Sequence, residues 1–145
     1  MIYSAGIIPY RKNDDGEYEF FLGHPGGDSW AKKDYWALLK GETERGETFK
    51  TAAIREFQEE SGVKLTKEEK DRLWPLGQIR QNRRKIVVAF ALEKGDIDPS
   101  KCFSNLVYGH NFPEVDKYQW IPFSKIKSKT SEKYSIFYKK INEQK

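Results

Sequence analysis

Cysteine and long apolar runs are scarce in this sequence. Cys102 is the only cysteine in the 145 residues, so the chain cannot form an internal disulfide. No run of about 18 apolar residues occurs, which excludes a membrane-spanning helix. The first residues also lack the basic and apolar regions of a secretory leader. We therefore expect a cytoplasmic protein that does not associate with a membrane.

Internal repeats and low-complexity segments are also absent, so the sequence gives no sign of a repeat array. Apolar residues make up 37% of the chain and charged residues 33%, which is a polar balance for a globular protein. The 14% content of aromatic residues nevertheless argues against disorder. The length is that of one domain, and we expect residues 1–145 to form a single unit with a substantial core.

Positive charge is spread unevenly along the chain, whose net charge is +4. Residues 125–145 contain seven lysines and two glutamates, and a solvated helix face explains them better than a binding site does. A second basic cluster lies in or beside an expected hairpin turn and consists of Arg80, Arg83, Arg84 and Lys85. A phosphate-rich ligand needs such cations, so Arg83 and Arg84 are candidate substrate-binding residues. RNA or an anionic surface is the alternative ligand.

One segment of 23 residues carries a dense pattern of glycine and charged residues. It starts at Gly41, continues with Glu47, and ends in the run Arg-Glu-Phe-Gln-Glu-Glu-Ser-Gly-Val at residues 55–63. Seven polar or glycine residues stand at fixed positions in the segment, and a random window would match all seven roughly once in 10^8. The pattern is therefore highly specific.

The middle of this segment predicts a helix over residues 48–61. Thr48 is a suitable N-terminal cap, and Gly62 suits the left-handed conformation that ends a helix. With a rotation of about 100° per residue, three carboxylates fall on one face of the helix, and this face overlaps the apolar stripe. These carboxylates belong to Glu56, Glu59 and Glu60.

Three like charges on one partly apolar face repel each other, so a cation should compensate them. Arg55 can reach Glu59 one helical turn later, but one guanidinium cannot neutralise three carboxylates. Ligand sets made only of oxygen suit hard divalent ions, which predicts Mg²⁺ or Mn²⁺. The alternative is an ordinary amphipathic helix with a solvated Glu-Glu pair, which the register of Gly41, Glu47 and Gly62 disfavours.

The complete pattern resembles the signature of the Nudix hydrolases and covers 23 of the 145 residues. The resemblance implies cleavage of a nucleoside diphosphate linked to a variable group, with a divalent metal as cofactor. It implies an α/β fold of the Nudix type, an α/β/α sandwich with a mixed β-sheet. By the same resemblance, Glu47 and Arg55 hold loop and helix together and the carbonyl of Lys40 adds a metal ligand. The carboxylates that it assigns to the metal are those of Glu56, Glu59 and Glu60.

Residues 40–42 and the preceding tryptophans are similar to one branch of that family, the nucleoside polyphosphate pyrophosphohydrolases that include diadenosine tetraphosphate hydrolases. Many members of the branch have proline where this chain has Leu39. The expected substrate is therefore a nucleoside triphosphate or a dinucleoside polyphosphate. One rival function is removal of pyrophosphate or a cap at RNA 5′ ends, and another is a nucleotide-sensing module without turnover. The complete set of carboxylates disfavours a module that only binds.

Three further residues are candidates for the site. Glu114 precedes an expected strand, where Nudix proteins often place an additional acid, so it is a candidate base or extra ligand and otherwise a surface glutamate. The base stays open between Glu114 and the three signature carboxylates. Lys40 is a candidate phosphate contact. Trp30, in a polar and glycine-rich neighbourhood, is a candidate for stacking on a base, whereas Trp36 is expected to pack in the core.

Hydrophobic patterning and turn signals outline the rest of the fold. We expect strands at residues 2–11, 18–23, 76–80, 85–93 and 118–121, the first two forming a hairpin. A loop is expected at residues 24–29, a short helix or turn at 67–73, an irregular stretch at 96–113, and a terminal helix within 124–142. The unbroken apolar run in 85–93 predicts a strand covered on both faces, and hence helices above and below a mixed sheet.

Overall fold

A six-stranded mixed β-sheet lies at the centre of the computed structural model, which describes residues 1–144. Its strands are β1 (Ile2–Lys12), β2 (Tyr18–Pro25), β3 (Leu39–Glu42), β4 (Trp74–Arg80), β5 (Lys85–Glu93) and β6 (Val115–Pro122). The α-helices are α1 (Phe49–Ser61), α2 (Lys67–Asp71), α3 (Phe123–Lys129) and α4 (Ser135–Asn142). None of the helices in residues 1–144 is both long enough and apolar enough to cross a membrane.

The sheet forks at β1, because that strand changes partner along its length. The order of the main path is β4-β5-β1-β2-β6, with β1 parallel to β5 and the other neighbours antiparallel. The first half of β1 pairs with β3, in which Gly41 lies opposite Ala5, and the second half pairs with β2, where Tyr10 lies opposite Phe20. The fork therefore places the start of the signature segment beside the end of β2.

Two apolar cores cover the two faces of the sheet. Successive side chains of a strand point to opposite faces, so Ile7 and Ile8 of β1 enter different cores. Helix α1 covers one face through Ala53 and Phe57, and α4 covers the other through Phe137. Strand β5 is buried on both faces, as predicted, and the expected α/β sandwich with a mixed sheet is confirmed.

The hairpin and the signature helix also agree with their predictions. Strands β1 and β2 pair in antiparallel register. Helix α1 begins after Thr48, whose side chain accepts a hydrogen bond from the amide of Thr51. It ends at Gly62, which has a φ of 76° and donates its N–H to the carbonyl of Gln58.

Three larger differences separate the structure from the expected elements, and strand β3 was not among the expected strands. Strand β2 continues to Pro25, so the prediction of a loop from His24 was wrong, and β6 begins at Val115 rather than at residue 118. Both strands are longer because they pair with each other as far as Pro25 and Val115. The terminal region holds two helices instead of one, because α3 ends at Lys129 and the extended backbone of Thr130 separates it from α4.

Candidate functional site

Helix α1 presents two buried carboxylates to the fork in the sheet. Glu56 is 8% exposed and Glu60 is 6% exposed, whereas Glu59 lies further toward solvent. Strand β3 approaches the helix so closely that a Cβ atom on Gly41 would lie 2.1 Å from the carboxyl carbon of Glu56. A side chain at this position would displace the Glu56 carboxylate, which gives a steric reason for the signature's first position.

Glu56, Glu59 and Glu60 of α1 form a carboxylate cluster, and we call the end beside Arg55 and Glu47 its outer end. Arg55 donates hydrogen bonds to several oxygens at this end. Its Nε and Nη2 donate to the two carboxylate oxygens of Glu47 at 2.8 and 3.0 Å, a bidentate pair. Its Nη1 donates to Glu56 at 2.8 Å and to Glu59 at 3.2 Å, and its Nη2 also donates to the carbonyl of Glu42 at 3.1 Å. Arg55 thus ties α1 to the loop that follows β3.

Glu47 is held on its other side by that same loop, because its Oε1 accepts the amide of Glu44 at 2.7 Å. The hydrogen bonds from Arg55, and then the one from Glu44, lower the pKa of Glu47 to about 2. The contacts therefore agree with the stabilising role that the family resemblance implied for Glu47 and Arg55.

Glu60 lies at the other end of the carboxylate cluster, which we call the inner end. Its charge, unlike that of Glu47, is not balanced by hydrogen bonds from within residues 1–144. Its Oε2 is buried and has no hydrogen-bond partner within residues 1–144. Burial, followed by the charges of Glu56 and Glu114, raises the pKa of Glu60 to about 9. Burial likewise raises the pKa of Glu56, although Arg55 opposes the shift.

Lys40 on β3 supplies the nearby positive charge at this inner end. Burial lowers the pKa of Lys40, while the carboxylates of Glu60 and Glu56 act to raise it. The amine therefore lies within electrostatic reach of both groups, yet Glu60 still keeps a raised pKa. The inner end of the cluster is a site where additional positive charge would be stabilising.

Glu114 reaches the cluster from a different part of the chain, just before β6. Its amide donates to the carbonyl of Asn105 at 3.0 Å, and the amide of Asn105 donates to the carbonyl of Glu59 at 3.1 Å. The carbonyl of Glu114 accepts the amide of Gly26 at 3.0 Å. These bonds attach the loop that carries Glu114 both to the end of α1 and to the loop after β2.

The glycines of the loop after β2 make that second attachment possible. A Cβ atom on Gly26 would lie 1.9 Å from the carbonyl oxygen of Pro113, and one on Gly27 would lie 2.8 Å from the ring of Phe112. The sequence predicts a loop at this pair of glycines. Two adjacent glycines also indicate close approach of another backbone, but they do not identify the partner, which in the structure is the loop before β6.

A cavity of about 600 Å³, which we call the site cavity, opens beside Glu60. Four predicted site residues line it together, namely Trp30, Lys40, Glu60 and Glu114. His110 and Phe112 also line the cavity, and sequence reasoning did not identify Phe112. The ring of Trp30 stacks on that of Tyr35 with centroids 5.0 Å apart. A volume of this size is typical of small-molecule sites.

The remaining candidates lie elsewhere. Trp36 is buried in the core, as predicted. Arg83 and Arg84 are exposed on the turn between β4 and β5, outside the described lining of the site cavity. The turn is nevertheless near the signature, since Lys85 Nζ lies 3.7 Å from a carboxylate oxygen of Glu42. A substrate-binding role for the two arginines stays a prediction.

The cluster has donors that suit a divalent cation. Within residues 1–144, no three His, Cys, Asp or Glu side chains are already arranged as a ligand set, and Arg55 engages one oxygen of Glu56 and one of Glu59. However, Glu60 offers a buried carboxylate oxygen without a partner. Carboxylates in a buried, electron-rich pocket are the donors that Mg²⁺ and Mn²⁺ prefer, so the residues present fit such an ion.

Comparisons with known proteins agree with this geometry. The family model described as NUDIX domain matches residues 3–141. Among solved structures, a Caenorhabditis elegans Ap4A hydrolase binary complex has a TM-score of 0.66 and 23% identity, covering 97% of this chain and 96% of that one. The NUDIX domain of Shewanella oneidensis NrtR, complexed with ADP ribose, has a TM-score of 0.68 and 11% identity, covering 97% and 86%.

A third similar structure is longer than this chain. It is a MutT/nudix family protein from Enterococcus faecalis, with a TM-score of 0.62 and 16% identity, of which this chain covers 43% while 83% of this chain is aligned. No curated protein sequence matches this chain. At these identities the similar structures establish only the fold, and the family model establishes that the chain belongs to the family.

Proposed function

Because this chain belongs to the Nudix family, we propose that it hydrolyses a phosphoanhydride bond in a nucleoside triphosphate or a dinucleoside polyphosphate, with Mg²⁺ or Mn²⁺ as cofactor. The predicted class of enzyme, a hydrolase of phosphorus-containing anhydrides, follows from the family. The observation that carries the finer proposal is the unpartnered buried oxygen of Glu60, next to Glu56 and Glu114 at the wall of the site cavity.

Glu56, Glu59 and Glu60 would hold the metal, with the main-chain carbonyl of Lys40 as a further ligand. When bound, the ion supplies neutralisation of charge on the phosphates and acidification of water. Arg55 keeps Glu56 and Glu59 in place through the hydrogen bonds of its Nη1. The role of this chain's own residues is therefore to hold oxygen donors in a rigid, partly buried array.

In the reaction, the oxygen of a water molecule forms a bond to phosphorus and the bridging phosphorus–oxygen bond breaks. The proton of the water passes to a carboxylate, and the electron pair of the broken bond stays on the departing phosphate. The base is one of Glu56, Glu59, Glu60 and Glu114. Glu60 and Glu114 both line the site cavity, which favours them over Glu59. Glu114 gains further support because a carboxylate bonded to metal is a weaker base.

Substrate contacts are proposed for Lys40 and Trp30, which both line the site cavity. Lys40 is a cation close to Glu60 and can face a phosphate group. Trp30 offers an indole ring for stacking on a nucleobase. The C. elegans relative is an Ap4A hydrolase and the Shewanella relative holds ADP ribose, so nucleotide ligands are consistent with this type of cavity.

The test is a substrate panel of nucleoside triphosphates, dinucleoside polyphosphates, ADP-ribose and capped RNA, with identification of the products. We expect turnover of the first two classes in Mg²⁺ or Mn²⁺ and none with EDTA. Turnover of capped RNA with a steep salt dependence would instead favour the RNA 5′-end alternative, which the exposed Arg83 and Arg84 motivate. Failure of every substrate with either metal would leave only a module that binds nucleotides.

A further inference from the structure

A second concave surface lies on the other side of the carboxylate cluster. This outer groove has a volume of about 620 Å³. Helix α1 contributes Thr51, Ile54, Gln58 and Glu59, and the loop before β6 contributes Phe103. Of its lining residues, only Glu59 and Arg55 have a role in the function proposed above, and the volume of the groove is comparable to that of the site cavity.

The carboxylate cluster separates the two concave surfaces. Glu59 and Glu60 are consecutive residues of α1, so their side chains diverge by about 100° around the helix axis. Glu60 lines the site cavity and Glu59 lines the outer groove. Glu56 lies between them on the helical wheel. A ligand that crosses the carboxylates would therefore place its two ends in the two concave surfaces.

Phe103 forms a fixed aromatic surface at the outer groove. Its amide donates to the carbonyl of Ser61 at 3.1 Å, which holds the loop against the end of α1. One side of the ring lies on Gly62, where a Cβ atom would be 2.5 Å from a ring carbon. The residue is nevertheless 69% exposed. A large aromatic ring that is anchored on one side and open on the other is suited to stacking on a flat apolar group.

We propose that the outer groove binds the second nucleoside of a dinucleoside polyphosphate, stacked on Phe103. The first nucleoside occupies the site cavity, and the phosphate chain crosses Glu56, Glu59 and Glu60. This inference rests on the proposed function and narrows its substrate class to molecules with a nucleoside at each end. A nucleoside triphosphate would fill the site cavity and leave the outer groove without a ligand.

The test compares two substrates that differ only in the second nucleoside, diadenosine tetraphosphate and adenosine 5′-tetraphosphate. We expect Phe103→Ala to lower kcat/KM for diadenosine tetraphosphate about tenfold, the size of one lost base stack. For adenosine 5′-tetraphosphate the change should stay within about twofold. Phe103→Trp keeps an aromatic surface and should restore the first value. Tyr108→Ala is the control, since Tyr108 is a 98% exposed aromatic residue of the same loop.

A second variant tests the groove by filling it. Gln58→Trp changes an exposed residue of α1 that lines the groove, so it should lower kcat/KM for diadenosine tetraphosphate selectively. Thermal unfolding of each variant checks that the fold is retained. Equal effects on both substrates, or no effect on either, would overturn the inference while the proposed function stands. If the wild type hydrolyses neither substrate, the proposed function itself fails, and this inference falls with it.

Discussion

The two ends of the carboxylate cluster differ in how their charges are balanced. At the outer end, two hydrogen bonds from Arg55 and one from the amide of Glu44 satisfy Glu47, and its pKa falls to about 2. At the inner end, Glu60 is buried beside Glu56 and Glu114, and its pKa rises to about 9. The same residue type is thus stabilised as an anion at one end and destabilised as an anion at the other, within one helix and the loop before it.

This difference separates a structural role from a functional one. A carboxylate with all its hydrogen bonds inside the protein fixes the position of a loop and needs no ligand. A buried carboxylate without a partner costs stability unless something else supplies the missing charge, and such groups concentrate at functional sites. We therefore expect substitutions at the inner end to affect turnover most and substitutions at the outer end to affect folding most.

The largest expected effect is on turnover in Glu60→Gln. The amide keeps the shape of the side chain but cannot bind a cation or accept a proton as a carboxylate does, so kcat should fall by about 100- to 1000-fold. Steady-state kinetics at saturating Mg²⁺ would measure the loss. Glu68→Gln on the exposed surface of α2 is the matched control and should keep full activity. Wild-type turnover in Glu60→Gln at saturating metal would show that the assigned role is wrong.

The features of α1 could be predicted because they depend on neighbouring residues. Thr48 and Gly62 define the ends of the helix through contacts within one turn, and the helical period places Glu56 and Glu60 on one face. The apolar run of β5 likewise revealed a strand that is covered on both sides. Local sequence therefore predicted five of the six strands, the layers on both faces of the sheet and the helix that carries the centre of the candidate site.

The walls of the site could not be predicted, because they depend on contacts between distant segments. The approach of Gly26 to Pro113 joins loops that are far apart in sequence, and nothing near either residue specifies it. The placement of Phe103 on Gly62 is of the same kind. The extra length of β2 and β6 also arises from their mutual pairing. Patterning describes one segment at a time and does not identify such pairs.

A smaller effect is expected from Arg55→Ala at the outer end. The substitution removes the bidentate contact with Glu47 and leaves Glu56 and Glu59 to repel each other. We expect a loss of about 2 kcal/mol in the free energy of unfolding, as for other charged hydrogen bonds. The unfolding midpoint should fall by roughly 4–8 °C. Arg45→Ala in the same loop, at an exposed position, is the control. Equal midpoints for the two variants would mean that Arg55 does not stabilise the fold.

The smallest expected effect is the pH dependence of stability in Glu60→Gln. The pKa of Glu60 is raised from 4.5 to about 9 in the folded protein, so between these values the folded chain holds a proton that the unfolded chain has released. Stability of the wild type therefore falls as pH rises through this window, and a glutamine has no such dependence. In EDTA, the two proteins should unfold at similar temperatures near pH 4.5, and the variant should unfold at the higher temperature by pH 8. Parallel curves across the whole range would show that Glu60 is not a source of strain in the folded protein.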